Sequence, residues 1–181
     1  GLRFGAIEKS LYRTVSNLTP ILPWEKVRGI AVELIASTKN KAPIHKATLF
    51  LEDRKIHLAE VHSNWGAMAN LFGPAQIENL PELITRLKAH LYPRLFPALR
   101  SSLLAGQELS FGPLAIHRQH ILFKTKSPDP IPWAKVKRVT IQSGYLVVEL
   151  EHSVKFHSRM RFPVSKIPNL ELLLKLIEEH A

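Results

Sequence analysis

The side chains with the most chemical reach in this sequence are cations, and their spacing is regular. From Val154 to Phe162 the residues alternate. Lys155, His157, Arg159 and Arg161 fall on one side, and Val154, Phe156, Met160 and Phe162 fall on the other with Ser158. A period of two marks a half-buried antiparallel strand, so the basic groups stand in a row on its solvent face. Such a row holds phosphate or carboxylate groups through charge-assisted hydrogen bonds. Lys135, Lys137 and Arg138 lie on a neighbouring predicted strand, and Lys124 and Lys126 adjoin a Pro-rich loop. With Lys155, Arg159 and Arg161 they make up the candidate anion- or lipid-binding set. A three-residue turn would set Glu151, Glu149, Val147 and Tyr145 of the preceding strand beside the basic row. The plainer reading is a solvated face with cross-strand ion pairs, but Glu149 and Glu151 neutralise only part of it.

Other chemistries find little footing. There are nine His but no Cys, so disulfides, thiolate metal sites and Cys nucleophiles are excluded. His117/His120 and His57/His62 are the closest His pairs, and neither has zinc-site spacing. No GxSxG, P-loop, GxGxxG or HExxH pattern occurs, and Gly is sparse at 8 residues. The expectation is a non-enzymatic protein with no metal and no cofactor. Its formal net charge of +10 is uneven: residues 110–166 carry 10 Lys/Arg against 3 Asp/Glu, whereas residues 167–181 carry 1 against 3. That field favours anionic partners, whether lipid headgroups, an acidic protein or nucleic acid. Nucleic acid is the weakest of these, because no aromatic interleaves with the basic strand face and no recognition-helix pattern is present.

A second candidate surface is apolar. Trp65, Met68, Leu71 and Phe72 recur at helical spacing. Exposed, they would anchor a membrane or a protein partner. Folded back, they would plug the opening of the first structural unit, and an unfilled opening there would suit a small-molecule carrier. No run of about 18 apolar residues occurs, so no spanning helix is expected, and no secretion signal is visible. The chain opens on Gly1 rather than Met, as an excised fragment would.

The elements that must position these residues come in a repeated order. Leu22-Pro23-Trp24-Glu25-Lys26-Val27-Arg28-Gly29-Ile30 returns as Ile131-Pro132-Trp133-Ala134-Lys135-Val136-Lys137-Arg138-Val139. Lys55-Ile56-His57 matches Lys155-Phe156-His157, and Ile77-Glu78-Asn79-Leu80 matches Ile167-Pro168-Asn169-Leu170. An internal repeat of short strands followed by one amphipathic helix is expected. In the second copy the spacing predicts a hairpin over Phe111–His117 and His120–Lys124, and a turn at Ser127-Pro128-Asp129-Pro130. Strands over Lys135–Gln142, Tyr145–Glu151 and Val154–Phe162 follow, then a helix from Pro168 to His180. Pro81 to Gly106 keeps a helical period that Pro93 and Pro97 should kink or split. Trp24 and Trp133, each following Pro at a strand start, are expected in the core.

These motifs resemble bacterial pleckstrin-homology-like domains. The residues that carry the resemblance are Phe111-Gly112-Pro113-Leu114, Ile131-Pro132-Trp133, Gly144-Tyr145-Leu146 and Ile167-Pro168-Asn169-Leu170. More narrowly, they look like an uncharacterised bacterial family with two such units in tandem. The resemblance implies an α+β fold of two tandem PH-like split β-barrels of antiparallel sheet, each capped by a C-terminal helix. The units would span residues 1–92, without the opening strand, and 107–181, joined by a helical connector at 93–106. It also implies a membrane segment upstream of Gly1 and a place at the cytoplasmic face of a bacterial membrane. The expected function is an interaction or scaffold module that binds protein partners and anionic lipid. Nucleic-acid binding and small-molecule carriage through the mouth of the first barrel are the alternatives. The resemblance supplies no catalytic or ligand-binding residues.

Overall fold

Proline fixes φ near −65° and gives no backbone N–H, so a strand that reaches one is inclined to stop or turn. Pro132 (φ −56°, ψ 143°) and Pro163 (φ −57°, ψ 130°) both lead into single 3-10 turns, at Trp133–Lys135 and Val164–Lys166. The first copy of the repeated phrase forms the same turn at Trp24–Lys26. In this computed structural model the described residues are 24–35, 44–60, 75–77, 79–124, 127–151 and 159–180. They divide into two compact units, Gly1–Leu91 and Tyr92–Ala181.

The described strands of the first unit form a four-stranded sheet in the order β1 (Val27–Ile35), β2 (Ile44–Leu51), β3 (Lys55–Glu60), β4 (Ala75–Ile77). The first three strands are antiparallel, while β4 runs parallel to β3. His45 lies opposite Glu60, and its ring Nδ1 is 2.8 Å from the Glu60 carboxylate. Helix α1 (Leu80–Leu104) follows, and Leu80, Leu83, Ile84, Leu87 and Leu91 are buried at helical spacing.

Pro93 and Pro97 do not divide this helix, which is continuous through both. Each removes one donor, leaving the carbonyls of Ala89 and Pro93 without an intrahelical partner. Ala89, Pro93 and Pro97 are all exposed, so the freed carbonyls are not buried in the core. The helix ends at Gly106 (φ +75°) in a Schellman arrangement, with Gln107 N–H bonded to Ser102 O and Gly106 N–H to Leu103 O.

The described strands of the second unit form two sheets. One is antiparallel in the order β5 (Leu109–Phe111), β6 (Leu114–Ile116), β7 (His120–Phe123), β8 (Ser127–Pro132). The other has β10 (Tyr145–Leu150) between β11 (Arg159–Pro163) and β9 (Val136–Gln142), all antiparallel. Helix α2 (Leu170–His180) closes the chain. Phe111, Leu114, Ile116, Ile121 and Phe123 of the first sheet share one core with Leu146, Val148, Met160 and Phe162 of the second and with Leu173, Leu176 and Ile177 of α2. Trp133 packs on this core, and its indole N–H donates to His117 O at 2.9 Å. Three side-chain contacts tie the later half of α1 to α2: Tyr92 to Glu171, Lys175 over the Phe96 ring at 4.2 Å, and Arg100 to Glu179 at 2.9 Å. The partners advance by four on both helices in the same direction, so the two helices run parallel here.

The expected pair of split β-barrels, each with its own C-terminal helix, is not what the chain builds. The described strands form three small open sheets with no closed barrel, and the described residues contain two α-helices. The strands are short, and β8 carries Pro128, Pro130 and Pro132. Prolines cannot donate to a further ladder, so β8 remains an edge. The stretch Ser127–Pro130, expected as a turn, is the start of that edge strand. The expected single strand Phe111–His117 is broken by a turn at Gly112-Pro113 into β5 and β6. Residues 1–23, where the first copy is expected to lack its opening strand, lie outside the described residues, as does the Trp24 side chain.

Gly112 (φ +66°) has no substitute: a Cβ there would sit 2.2 Å from the Lys166 carbonyl oxygen. Gly144 (φ +77°) faces open space. Gly112→Ala should therefore lower the unfolding free energy by about 2–4 kcal/mol, against about 1–2 kcal/mol for Gly144→Ala, which meets only the left-handed backbone penalty. Urea denaturation of the two variants measures the difference, and equal losses would show that the Lys166 contact does not constrain the β5–β6 turn.

Candidate functional site

In an antiparallel ladder, successive side chains alternate between faces. Val136 and Val139 are three residues apart, yet both pack on the core of the second unit. The ladder shows how. Leu150 pairs with Val136, but its neighbour Glu149 pairs with Arg138, so β9 holds one residue more than β10 at this point. This β-bulge re-aims the side chains around it. Lys137 and Arg138 are both exposed, side by side in the chain, with Glu149 opposite. The first copy of the phrase has its bulge at the same place, between Val27 and Gly29, with Arg28 as the extra residue.

Outward from the core, β10 and β11 continue this face. Arg159 lies opposite Glu149, and their side chains approach to 3.4 Å. The Arg159 guanidinium also donates to Gln142 Oε1. Arg161 is exposed and lies opposite Val147. Lys135 is exposed in the 3-10 turn before the bulge, and its carbonyl accepts the Glu151 N–H at 3.0 Å. Arg138, Glu149 and Arg159 therefore form one row across three strands, with a single carboxylate between two guanidinium groups. Lys135, Lys137, Arg138, Arg159 and Arg161 against Glu149 and Glu151 leave three positive charges in excess. The exposed Arg159–Glu149 pair contributes little to stability, so Arg159 can exchange Glu149 for an external anion at small cost.

The register differs from the expected one by two residues: Arg159 faces Glu149 rather than Val147, and Arg161 faces Val147 rather than Tyr145. Lys124 is exposed at the end of β7 in the other sheet, and its ammonium donates to Ser110 Oγ at 2.8 Å. Lys126 and Lys155 lie outside the described residues, as do Trp65, Met68, Leu71 and Phe72. Sequence reasoning missed Gln142 as the Arg159 partner and Ile141 as an exposed aliphatic, 50% accessible. Ile141 has the pairing of a core residue, opposite buried Leu146. Its exposure follows from β9 being an edge, which alternation does not reveal. The bulge had a signal, the three-residue spacing of Val136 and Val139.

Two histidines form the other polar cluster. The rings of His117 and His120 stack with centroids 4.5 Å apart. His117 Nδ1 accepts the Gln119 N–H at 3.2 Å, so its proton sits on Nε2, which lies 3.1 Å from the Gly106 carbonyl. Burial and the neighbouring His117 hold His120 below the usual imidazole value, against the pull of Glu108. Among the described residues no group of three His, Asp or Glu is placed to hold a metal ion. No described helix is long and apolar enough to cross a membrane.

The sign of the His120 effect follows from its lowered value. Its contribution to stability is complete above the unfolded imidazole value of about 6.5 and is lost as pH falls through the folded value. His120→Gln should therefore flatten the decline in urea midpoint between pH 7 and pH 5. Parallel declines for variant and parent would show that acid destabilisation arises elsewhere.

A family model described as a family of unknown function (DUF6585) matches residues 54–181. No curated protein and no solved structure matches the chain. The family match spans all of the second unit, with the bulged strand and the cationic row. On that coverage, the chain belongs to the DUF6585 family of unknown function.

Proposed function

We propose that this protein is a non-enzymatic interaction module that docks on anionic surfaces through the outer face of β9–β11. Its setting is the cytoplasmic face of a bacterial membrane, where it joins protein partners to anionic lipid headgroups. The observation that carries this reading is the bulge at Lys137, which sets two consecutive cations opposite one carboxylate and in line with Arg159. A face of this kind recognises charge and bidentate oxygen acceptors rather than a particular molecule. Near an anionic leaflet each basic residue adds about 1 kcal/mol of attraction, so the three excess charges amount to about 3 kcal/mol. The overall charge of +10 adds long-range steering toward the same surface.

Vesicle co-sedimentation tests this. The protein should pellet with phosphatidylglycerol vesicles at low salt, should not pellet with phosphatidylcholine vesicles, and should be released as ionic strength rises. Lys137→Glu with Arg138→Glu changes the face by four charges and should weaken binding by about 100-fold or more. Absence of binding to anionic vesicles at low salt would defeat the membrane part of the reading. Stronger retention by duplex DNA in direct competition would replace lipid with nucleic acid.

A further inference from the structure

We propose that the open edge of β9 receives an extended acidic segment of a partner protein as an added strand. This rests on the reading of the chain as an interaction module and names the form its partner takes.

The edges of the second unit are not alike. β8 is blunted by its prolines, β5 is only three residues long, and β11 ends at Pro163. β9 has no proline, and among the described strands β10 alone pairs with it. Among the described residues no strand bonds to the far side of Val136–Gln142. After the bulge, Arg138–Gln142 is regular, a length of about 17 Å at the usual strand rise. Its outward backbone donors and acceptors are a template for one more strand.

The side chains along this edge state what that strand must carry. Val136 and Val139 are half-buried and Ile141 is half exposed, so the apolar inner face is cut off at the edge with its last row uncovered. Residues beside them on an added strand must be apolar. On the outer face the same strand would run past Lys137 and Arg138, which form no ion pair among the described residues. Residues there must be acidic. The matching ligand is thus a short extended segment with aliphatic residues on its inner face and acidic residues on its outer face where it passes Lys137 and Arg138. A second copy of this chain is a poor match, since it would bring β9 cations against β9 cations on molecules of charge +10.

Fluorescence anisotropy on the full chain tests this with a labelled nonapeptide of alternating Val and Glu. A second peptide carries the same side chains but is N-methylated throughout, so it keeps its charge and donates no backbone hydrogen bond. The expected result is binding of the first peptide, at least about tenfold weaker binding of the methylated one, and a similar loss in Lys137→Glu/Arg138→Glu. Ile141→Ser, at an exposed position and without change of charge, should weaken the first peptide while leaving vesicle binding intact. Equal binding of both peptides would overturn strand addition and leave the electrostatic reading standing. Binding to anionic vesicles with neither peptide bound would likewise remove the edge site alone. Failure of peptides and vesicles together would remove both readings.

Discussion

Side chains on a strand must alternate, so two aliphatic residues three apart can both reach a core only where the ladder carries an extra residue. That constraint shapes the surface of this protein. Val136 and Val139 both pack inward, and the surplus residue between them is accommodated beside Glu149. The result is two adjacent cations on the solvent side of a strand whose other face is committed to the core. The 3-10 turn at Trp133–Lys135 feeds the bulge from one end, and Trp133 holds that turn by packing on the core and by its bond to His117 O. The charged face is therefore positioned by apolar packing rather than by ion pairs, which at this exposure contribute little.

The same phrase produces the same device in the first unit. There the 3-10 turn is Trp24–Lys26, the bulge lies between Val27 and Gly29, and the extra residue is again basic, Arg28. Its charge is engaged differently, since Arg28 pairs with Glu52 at 2.6 Å. Asn79 and Asn169, which precede the two helices, share a left-handed backbone at φ 55° and 53°. Local chemistry is thus repeated closely. The surroundings are not, because β4 adds parallel to β3 in the first unit, whereas the described pairings of the second are antiparallel.

The core of the second unit explains why its surface features hold still. Phe123 and Phe162 come from different sheets and meet with ring centroids 5.2 Å apart. Burying such rings, with the leucines of α2, supplies on the order of 2 kcal/mol per large apolar side chain. The parallel run of the later α1 against α2 adds a polar seam. In it Tyr92 is held in its neutral phenol form by burial and by Glu171, which raise its ionisation well above the ordinary range.

The sequence by itself determined the local choices. Alternation placed β10 and β11 and their faces, and the repeated Pro-Trp phrase marked the start of β9 and a Trp133 that packs on the core. Gly106 marked a helix end, and the Leu170–Ile177 periodicity marked α2. Each depends on residues within a few positions of one another, where backbone sterics and periodicity act. What only the tertiary structure decided is relational. The two-residue register between β10 and β11, the exposure of Ile141, the separation of Lys124 from the row on β9–β11, and three open sheets in place of closed barrels all depend on which strand lies beside which. Pairing is set by hydrogen bonds and side-chain contacts between segments far apart in the chain, and a one-residue surplus such as Lys137 alters the face of everything before it. No local pattern records that pairing until the chain has folded upon itself.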